Sequence, residues 1–224
     1  MGSRIAKLNE EVSTGKRINR ASDDPGRISQ LHNVRQQLNN QGVYMKNASQ
    51  AEQLLNVADT TLKEIHTTLT EARELAVQFA NEVYNADQRG EAANVTDTLF
   101  ERTISLSNTQ FNERHIFAGT AYDDVAFDDT GTYQGSTDAP ESVVGDDLKV
   151  KTGFDGSDLL TGSSDMFGAI SNLKTALNAD DTAAIVSALD DIDAALLDVE
   201  KGMVEVGGEM RRSIDANSLA SNLE

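Results

Sequence analysis

The sequence predicts a mainly α protein: an elongated antiparallel helical rod, packed as a heptad bundle, with a small β-rich insertion. Three observations carry that expectation. A first heptad run reads Ala51, Leu55, Ala58, Leu62, Ile65, Leu69, Ala72, Ala76 and Phe79. A second reads Ile185, Leu189, Ile192, Leu196, Val199, Met203, Val206 and Met210, and Ser213, Asn217 and Ala220 continue its spacing in weaker residues. Between them the chain turns rich in Gly and Asp. Both runs alternate steps of three and four, which lays one narrow apolar stripe along each helix and calls for a partner helix. The stripes are far apart in sequence but similar in length, so they most simply pack on each other in a chain that goes out and comes back.

Composition fits such a rod. The chain has 224 residues, 38% of them hydrophobic and only 5% aromatic, with no Trp. That is lean for a round globule but sufficient for a thin helical seam filled by Leu, Ile, Val and Ala. The net charge of −18 repels phosphates and argues against nucleic acid as a partner. Without Cys the chain has no disulfide, thiolate nucleophile or Cys-based metal site. No apolar stretch approaches the roughly 20 residues that span a membrane, so no membrane insertion is expected, and no signal-peptide core is present. Met1-Gly2-Ser3 and Leu223-Glu224 read as residues added to the native chain, which is expected to continue in both directions.

In chain order, residues 4–14 suit a short amphipathic helix with Ile5, Leu8 and Val12 on one side, broken at Thr14-Gly15-Lys16. Ser22-Asp23-Asp24-Pro25 then starts a helix, because an Asp side chain accepts free backbone N–H groups and Pro fits the first turn. No Pro follows until well past Glu82. Ile28, Leu31, Val34, Leu38, Met45 and Ala48 lead into the first heptad run with a phase slip near Ala48–Ala51. A helix of about 57 residues is roughly 85 Å long. Asn85-Ala86-Asp87-Gln88 is a turn with a capping-box pair, and a second helix with Ala92, Val95, Leu99, Thr103 and Leu106 on one stripe runs to about Thr109.

The character changes at Phe111. Val125-Ala126-Phe127, the turn Asp128-Asp129-Thr130-Gly131 and Thr132-Tyr133-Gln134 predict a β-hairpin. Leu148-Lys149-Val150-Lys151-Thr152 alternates as a half-buried strand does. Gly153 to Gly162 reads as loop. Ser164-Asp165 caps a short helix from Met166 to about Leu177, and Asn178-Ala179-Asp180-Asp181 ends it and caps the last helix from about Thr182. The expected division is a discontinuous helical rod over 4–115 plus 165–222 and a β-rich insertion over 116–164.

The residues that carry chemistry elsewhere are dispersed here. His32, His66 and His115 sit on different segments, none at metal-ligand spacing from another His or a carboxylate. The acidic pairs Asp23-Asp24 and Asp180-Asp181 stand at helix starts, and Asp123-Asp124, Asp128-Asp129, Asp146-Asp147 and Asp190-Asp191 lack the Asp-x-Asp-x-Asp-Gly pattern of a calcium loop. There is no phosphate-binding glycine loop and no Gly-x-Ser-x-Gly. Catalytic, cofactor-binding and metal residues are therefore all expected to be none. Gly15-Lys16-Arg17-Ile18-Asn19-Arg20-Ala21-Ser22 is a basic run in a chain with only 19 basic residues. It reads either as a solvated linker or as an interface that docks an acidic neighbouring subunit, with Arg17, Ile18, Asn19, Arg20, Asp23 and Asp24 as the contact candidates.

At these residues the sequence becomes similar to a known family. Ser13-Thr14-Gly15-Lys16-Arg17-Ile18-Asn19-Arg20-Ala21-Ser22-Asp23-Asp24-Pro25 resembles the N-terminal signature of the flagellin superfamily, and Thr70-Glu71-Ala72-Arg73-Glu74-Leu75-Ala76-Val77-Gln78 resembles its second signature. Asn108-Thr109-Gln110-Phe111-Asn112 also fits. Arg114-His115-Ile116-Phe117-Ala118-Gly119-Thr120, Phe127 and Thr132-Tyr133-Gln134-Gly135 look like the hook–filament junction members rather than the filament-forming ones. The resemblance implies a structural protein of the bacterial flagellum with no enzymatic activity and no cofactor. It implies export through the flagellar type III apparatus to the cell exterior. The implied partners are an export chaperone, a FlgK-type junction protein, flagellin, and further copies of itself in a ring. The family's terminal helices, which carry export and assembly signals, are not in this chain, so self-assembly of the chain alone is not expected. The competing readings are a flagellin filament subunit, a helical secreted adhesin or needle-tip protein, and an acidic hydrolase; the last needs two carboxylates converging in a pocket, which the heptads do not place.

Overall fold

The computed structural model describes residues 5, 9, 12–15 and 25–221. Of the helix expected over 4–14, Ile5, Asn9 and Val12–Thr14 are helical, and Gly15 follows with φ +64°.

Helix α1 (Pro25–Phe79) is 55 residues long, about 83 Å at 1.5 Å per residue. Helix α2 (Ala86–Ser107) folds back from it. The capping box is present: Asn85 accepts from the Gln88 amide at 2.9 Å, and the Gln88 side chain accepts from the Asn85 amide at 3.1 Å. Strands β1 (Gln110–Phe111) and β2 (Arg114–His115) form a tight hairpin whose two loop residues, Asn112 and Glu113, both have positive φ. Strands β3 (Glu141–Val143) and β4 (Lys149–Lys151) form a second antiparallel hairpin, with Ser142 opposite Val150. Helices α3 (Gly156–Thr161), α4 (Met166–Asn178) and α5 (Thr182–Ser221) complete the chain.

The first heptad run is the core face of α1: Ala51, Leu55, Ala58, Leu62, Ile65, Leu69, Ala72 and Ala76 are wholly buried. Helix α5 lies antiparallel along it. Arg73 meets Asp193, His66 meets Glu200, and the Ser213 hydroxyl donates to the Ala48 carbonyl at 2.8 Å. The second heptad run is half right. Ile185, Ile192, Val199, Val206, Ser213 and Ala220 are buried as its first row, but Leu189, Leu196, Met203, Met210 and Asn217 are only partly so. The row that faces inward is one residue earlier: Ala188, Ala195, Gly202, Glu209 and Ala216. Small side chains there let the helices approach closely, and the larger residues lie on the shoulders of the seam.

Two clusters share this seam. At one end, Ala72, Ala76, Leu99, Leu173, Leu177, Ile185 and Ile192 join α1, α2, α4 and α5. Toward the other, Leu55, Leu62, Val199 and Val206 pack with Ile116, Phe117, Phe127, Phe154 and Phe167 from outside the long helices.

In the middle of the chain one expectation is met in a shorter form and one needs correction. The hairpin over 125–134 is brief: Phe127 bridges Tyr133, the Asp128 amide donates to the Thr132 carbonyl and the Gln134 amide to the Ala126 carbonyl. The Asp128 carboxylate organises its turn, accepting from the amides of Thr130 and Thr132 and from the Gln134 side chain, while the Asn108 side chain pairs with the Phe127 backbone through both its groups. The segment 153–162 is not all loop. Asp155 accepts from the Ser157 amide at 2.8 Å and starts α3, whose Leu159 and Leu160 are buried.

Helix side chains cover both edges of the β3–β4 hairpin. Asn47 of α1 donates to the Val143 carbonyl at 2.8 Å, and Glu209 of α5 accepts from the Lys151 amide at 3.2 Å.

Candidate assembly surface

The contact residues expected from the sequence, Arg17, Ile18, Asn19, Arg20, Asp23 and Asp24, lie outside the described residues. The adjoining stretch of α1 is on view. The Gln41 side chain donates to the Ala220 carbonyl near the end of α5 at 3.2 Å. From there back to Arg27 the side chains of α1 are exposed, apart from a half-buried Ile28. Leu31, Val34 and Leu38, between 44% and 53% exposed, form an apolar stripe on a single helix. An apolar stripe at that spacing on one helix is a surface for another element rather than for water.

The second signature segment does structural work inside the chain. Ala72 and Ala76 sit in the seam. Arg73 donates to Asp193 at 2.5 Å, which holds α1 to α5 and keeps the guanidinium pKa above its ordinary value through that hydrogen bond. Glu71 lies 3.7 Å from Arg102 of α2, and Gln78 donates to the Tyr84 hydroxyl at 3.1 Å. These pairs are about half exposed, so each contributes at most about 1 kcal/mol and mainly fixes register. Sequence reasoning missed the buried Arg89. Its guanidinium donates to the carbonyls of Phe79 and Asn81 and to Asp180, tying the end of α1, the start of α2 and the α4–α5 corner together. A lone Arg in a polar first turn carries no signal of this, because its partners come from two other corners of the fold.

The segment 108–135 is likewise consumed by packing. His115 is buried, bonded to the Asn108 carbonyl at 2.9 Å and to Gln110 at 2.8 Å, so it is a packing histidine. His66 faces Glu200 at 3.4 Å across the seam, and His32 is exposed. Gly119 adopts φ +60°, where a Cβ would strike the Ser136 carbonyl, so only Gly fits that turn. Burial and the nearby Asp155 push the Tyr133 hydroxyl up to about 12, which removes it from acid–base work near neutrality.

A cavity of about 670 Å³ lies between α3, β4 and α5. It is lined by Asp155, Asp158, Asp198 and Glu205 together with Lys151 and Lys201. Asp155 caps α3, Glu205 pairs with Lys151, and Asp198 accepts from the Ser163 amide and from Lys201. Asp155, Asp198 and Glu205 are thus engaged with backbone and lysine. Among the described residues no group of three or more His, Asp or Glu is arranged to hold a metal ion, and no helix is long and apolar enough to cross a membrane.

Three comparisons place this architecture. Over 131 residues the chain is 32% identical to flagellar hook-associated protein 3 of Salmonella typhimurium, a match that covers 58% of this chain and 41% of that protein. The chain thus spans about two fifths of the length of that curated relative. The fold superimposes on the crystal structure of Bacillus cereus FlgL with a TM-score of 0.76 at 22% identity, covering 88% of this chain and 97% of that one. On Bacillus cereus flagellin the TM-score is 0.59 at 20% identity, covering 78% and 88%. The family model for the bacterial flagellin N-terminal helical region matches residues 2–122, more than half of the chain, and the chain belongs to that family.

Proposed function

We propose that this chain is part of a hook–filament junction protein: a non-enzymatic subunit of the bacterial flagellum that sits between a FlgK-type junction protein and the flagellin filament. It is secreted, works outside the cell in motility, reaches its place through the flagellar type III apparatus with an export chaperone, and forms a ring with further copies of itself. It needs no cofactor. The observation that supports this reading most is the correspondence of the whole architecture with a FlgL structure, β-rich part included, beside the sequence likeness to a hook-associated protein. Long paired helices suit a part that transmits torque along its axis. In the same reading, 4–115 and 165–222 act as the rod and 116–164 as an outward-facing insertion. The basic run Arg17, Ile18, Asn19 and Arg20, with Asp23 and Asp24, is the docking segment, continuous with the exposed stripe of Leu31, Val34 and Leu38.

Two experiments test this. Cells lacking the full-length gene should keep their hooks, carry no filaments and secrete unpolymerised flagellin, as seen by electron microscopy; hooks with normal filaments would overturn the junction assignment. A flagellin filament subunit is the second reading, favoured by the family match, and it requires the purified full-length protein to polymerise into filaments. For the docking segment, the proposed role outside the fold predicts that Arg17→Glu with Arg20→Glu leaves the melting temperature nearly unchanged, since substitutions away from packed features shift stability by less than about 0.5 kcal/mol. The same change should make cells shed filaments. Unchanged filament retention would make the run a linker.

A further inference from the structure

Two acids on α5 are buried although they lie on the core side of a heptad helix. Asp198 and Glu209 are each 8% exposed. They are eleven residues apart, three turns of one helix face. Each does the same two things. Asp198 accepts from the backbone amide of Ser163 at 3.1 Å and from Lys201, three residues on, at 2.7 Å. Glu209 accepts from the backbone amide of Lys151 at 3.2 Å and from Arg212, three residues on, at 3.1 Å.

The two amides are the ends of one stretch of chain, Lys151 to Ser163, which runs antiparallel across α5. Midway, Leu159 rests on Gly202, where an added Cβ would come within 2.9 Å of the leucine side chain. The polar cavity of about 670 Å³ opens between part of the stretch and α5, beside the packed leucine. On its other side the stretch is stitched into the β-rich core. The Phe154 amide donates to the Ile116 carbonyl at 2.9 Å, the Gly156 amide to Phe117 at 2.9 Å, and Phe154 is buried. One side is therefore held by backbone pairing and aromatic packing. The α5 side is held by two carboxylates, the Lys151–Glu205 ion pair and the buried Leu159 and Leu160 of α3, which share one cluster with Ala195, Val199 and Val206.

We propose that residues 151–163 form a strap that parts from α5 as one unit, gated at its two ends by the carboxylates of Asp198 and Glu209, while its pairing to residues 116–119 stays closed. Such a joint lets the β-rich part shift against the rod without unfolding either. Proteins open locally in cooperative units at free energies below that of global unfolding.

Native-state amide exchange on the full chain in low urea tests it. The Lys151 and Ser163 amides should exchange through one shared opening, below the free energies of Phe154, Gly156 and the seam residues Ile192 and Val199. Asp198→Ala should speed exchange at Ser163 and also at the distant Lys151, both by about tenfold or more, as expected for losing one hydrogen bond to a charged group. Phe154 and Gly156 should hold their rates. Asp198→Asn keeps a carbonyl acceptor and should restore most of the protection. Lys151 unaffected by Asp198→Ala would show two independent contacts and overturn the strap. If that variant does not fold, the urea dependence of the unaltered chain decides: Lys151 and Ser163 exchanging only with the seam residues, through global unfolding, would equally overturn it.

Discussion

The two long helices meet one seam with different chemistry. The inner face of α1 is a run of Ala, Leu and Ile, wholly buried from Ala48 to Ala76, and its buried Thr61 and Thr68 bond back to carbonyls of their own helix. The inner face of α5 interleaves Ile and Val with Ala, Gly, Ser and a buried Glu. Both helices also meet the β-rich part, but α1 does so through the same apolar ridge and the Asn47 side chain, whereas α5 gives up bulk at Gly202 for Leu159 and carries carboxylates that accept amides from outside the helix. A helix that receives a second partner through a glycine notch and polar groups shows a blurred heptad, and the blur marks where that partner docks.

The sharpest way to break this contrast is to truncate matched leucines. Leu62→Ala removes a wholly buried side chain from the α1 ridge and should cost about 2–5 kcal/mol in urea unfolding. Leu196→Ala removes a shoulder residue of α5, only partly buried, and should cost about half as much or less. Equal losses would mean that the shoulders are core and the contrast is false. Next come the glycines of α5. Gly202→Ala should destabilise by about 1–2 kcal/mol net, overpacking against Leu159 outweighing the better helix propensity of Ala. Gly207→Ala and Gly208→Ala, with open space around each, should instead stabilise by about 1 kcal/mol apiece, read as a raised melting temperature. The same sign for all three would remove the docking explanation for Gly202.

The smallest effect is a pH dependence. Asp198 has its pKa held below the ordinary carboxylate value, first by the hydrogen bond from Lys201, against an opposing desolvation, with Ser164 and the Ser163 amide adding to the lowering. A depressed carboxylate stabilises the fold fully above its unfolded value and loses that contribution as pH falls through its folded value. The unaltered chain should therefore lose stability relative to Asp198→Asn as pH drops below about 4. Parallel stability curves for the two proteins across that window would show that Asp198 contributes no charge-dependent hold.

Much of the rod was legible because repetition in sequence became repetition in space. The α1 heptads, the Asn85–Gln88 capping box, and the Asp165 and Asp181 caps all rest on residues that interact within a turn or with a uniform stripe. What escaped depends on distant partners. Nothing near Asp198 or Glu209 announces that amides 35 and 58 residues away will need acceptors. Hydrophobicity alone chose Leu189 and Leu196 for the seam where Ala188 and Ala195 actually face it, because closeness of approach is a property of the pair of helices. Helix α3 has six residues, too few for a period to show. The interface candidates at 17–24 fall outside the described residues, and their role rests on charge and resemblance.

The covered edges of the β3–β4 hairpin have a consequence for how this chain meets other protein. A short sheet with open sides is a template on which a second chain can add a strand, and from there aggregation spreads. Here Asn47 occupies the outward carbonyl of Val143, and Glu209 occupies the outward amide of Lys151, so each side of the ribbon is already answered from within its own molecule. Another chain that meets this surface is left with side chains to recognise, and strand addition to the ribbon is disfavoured.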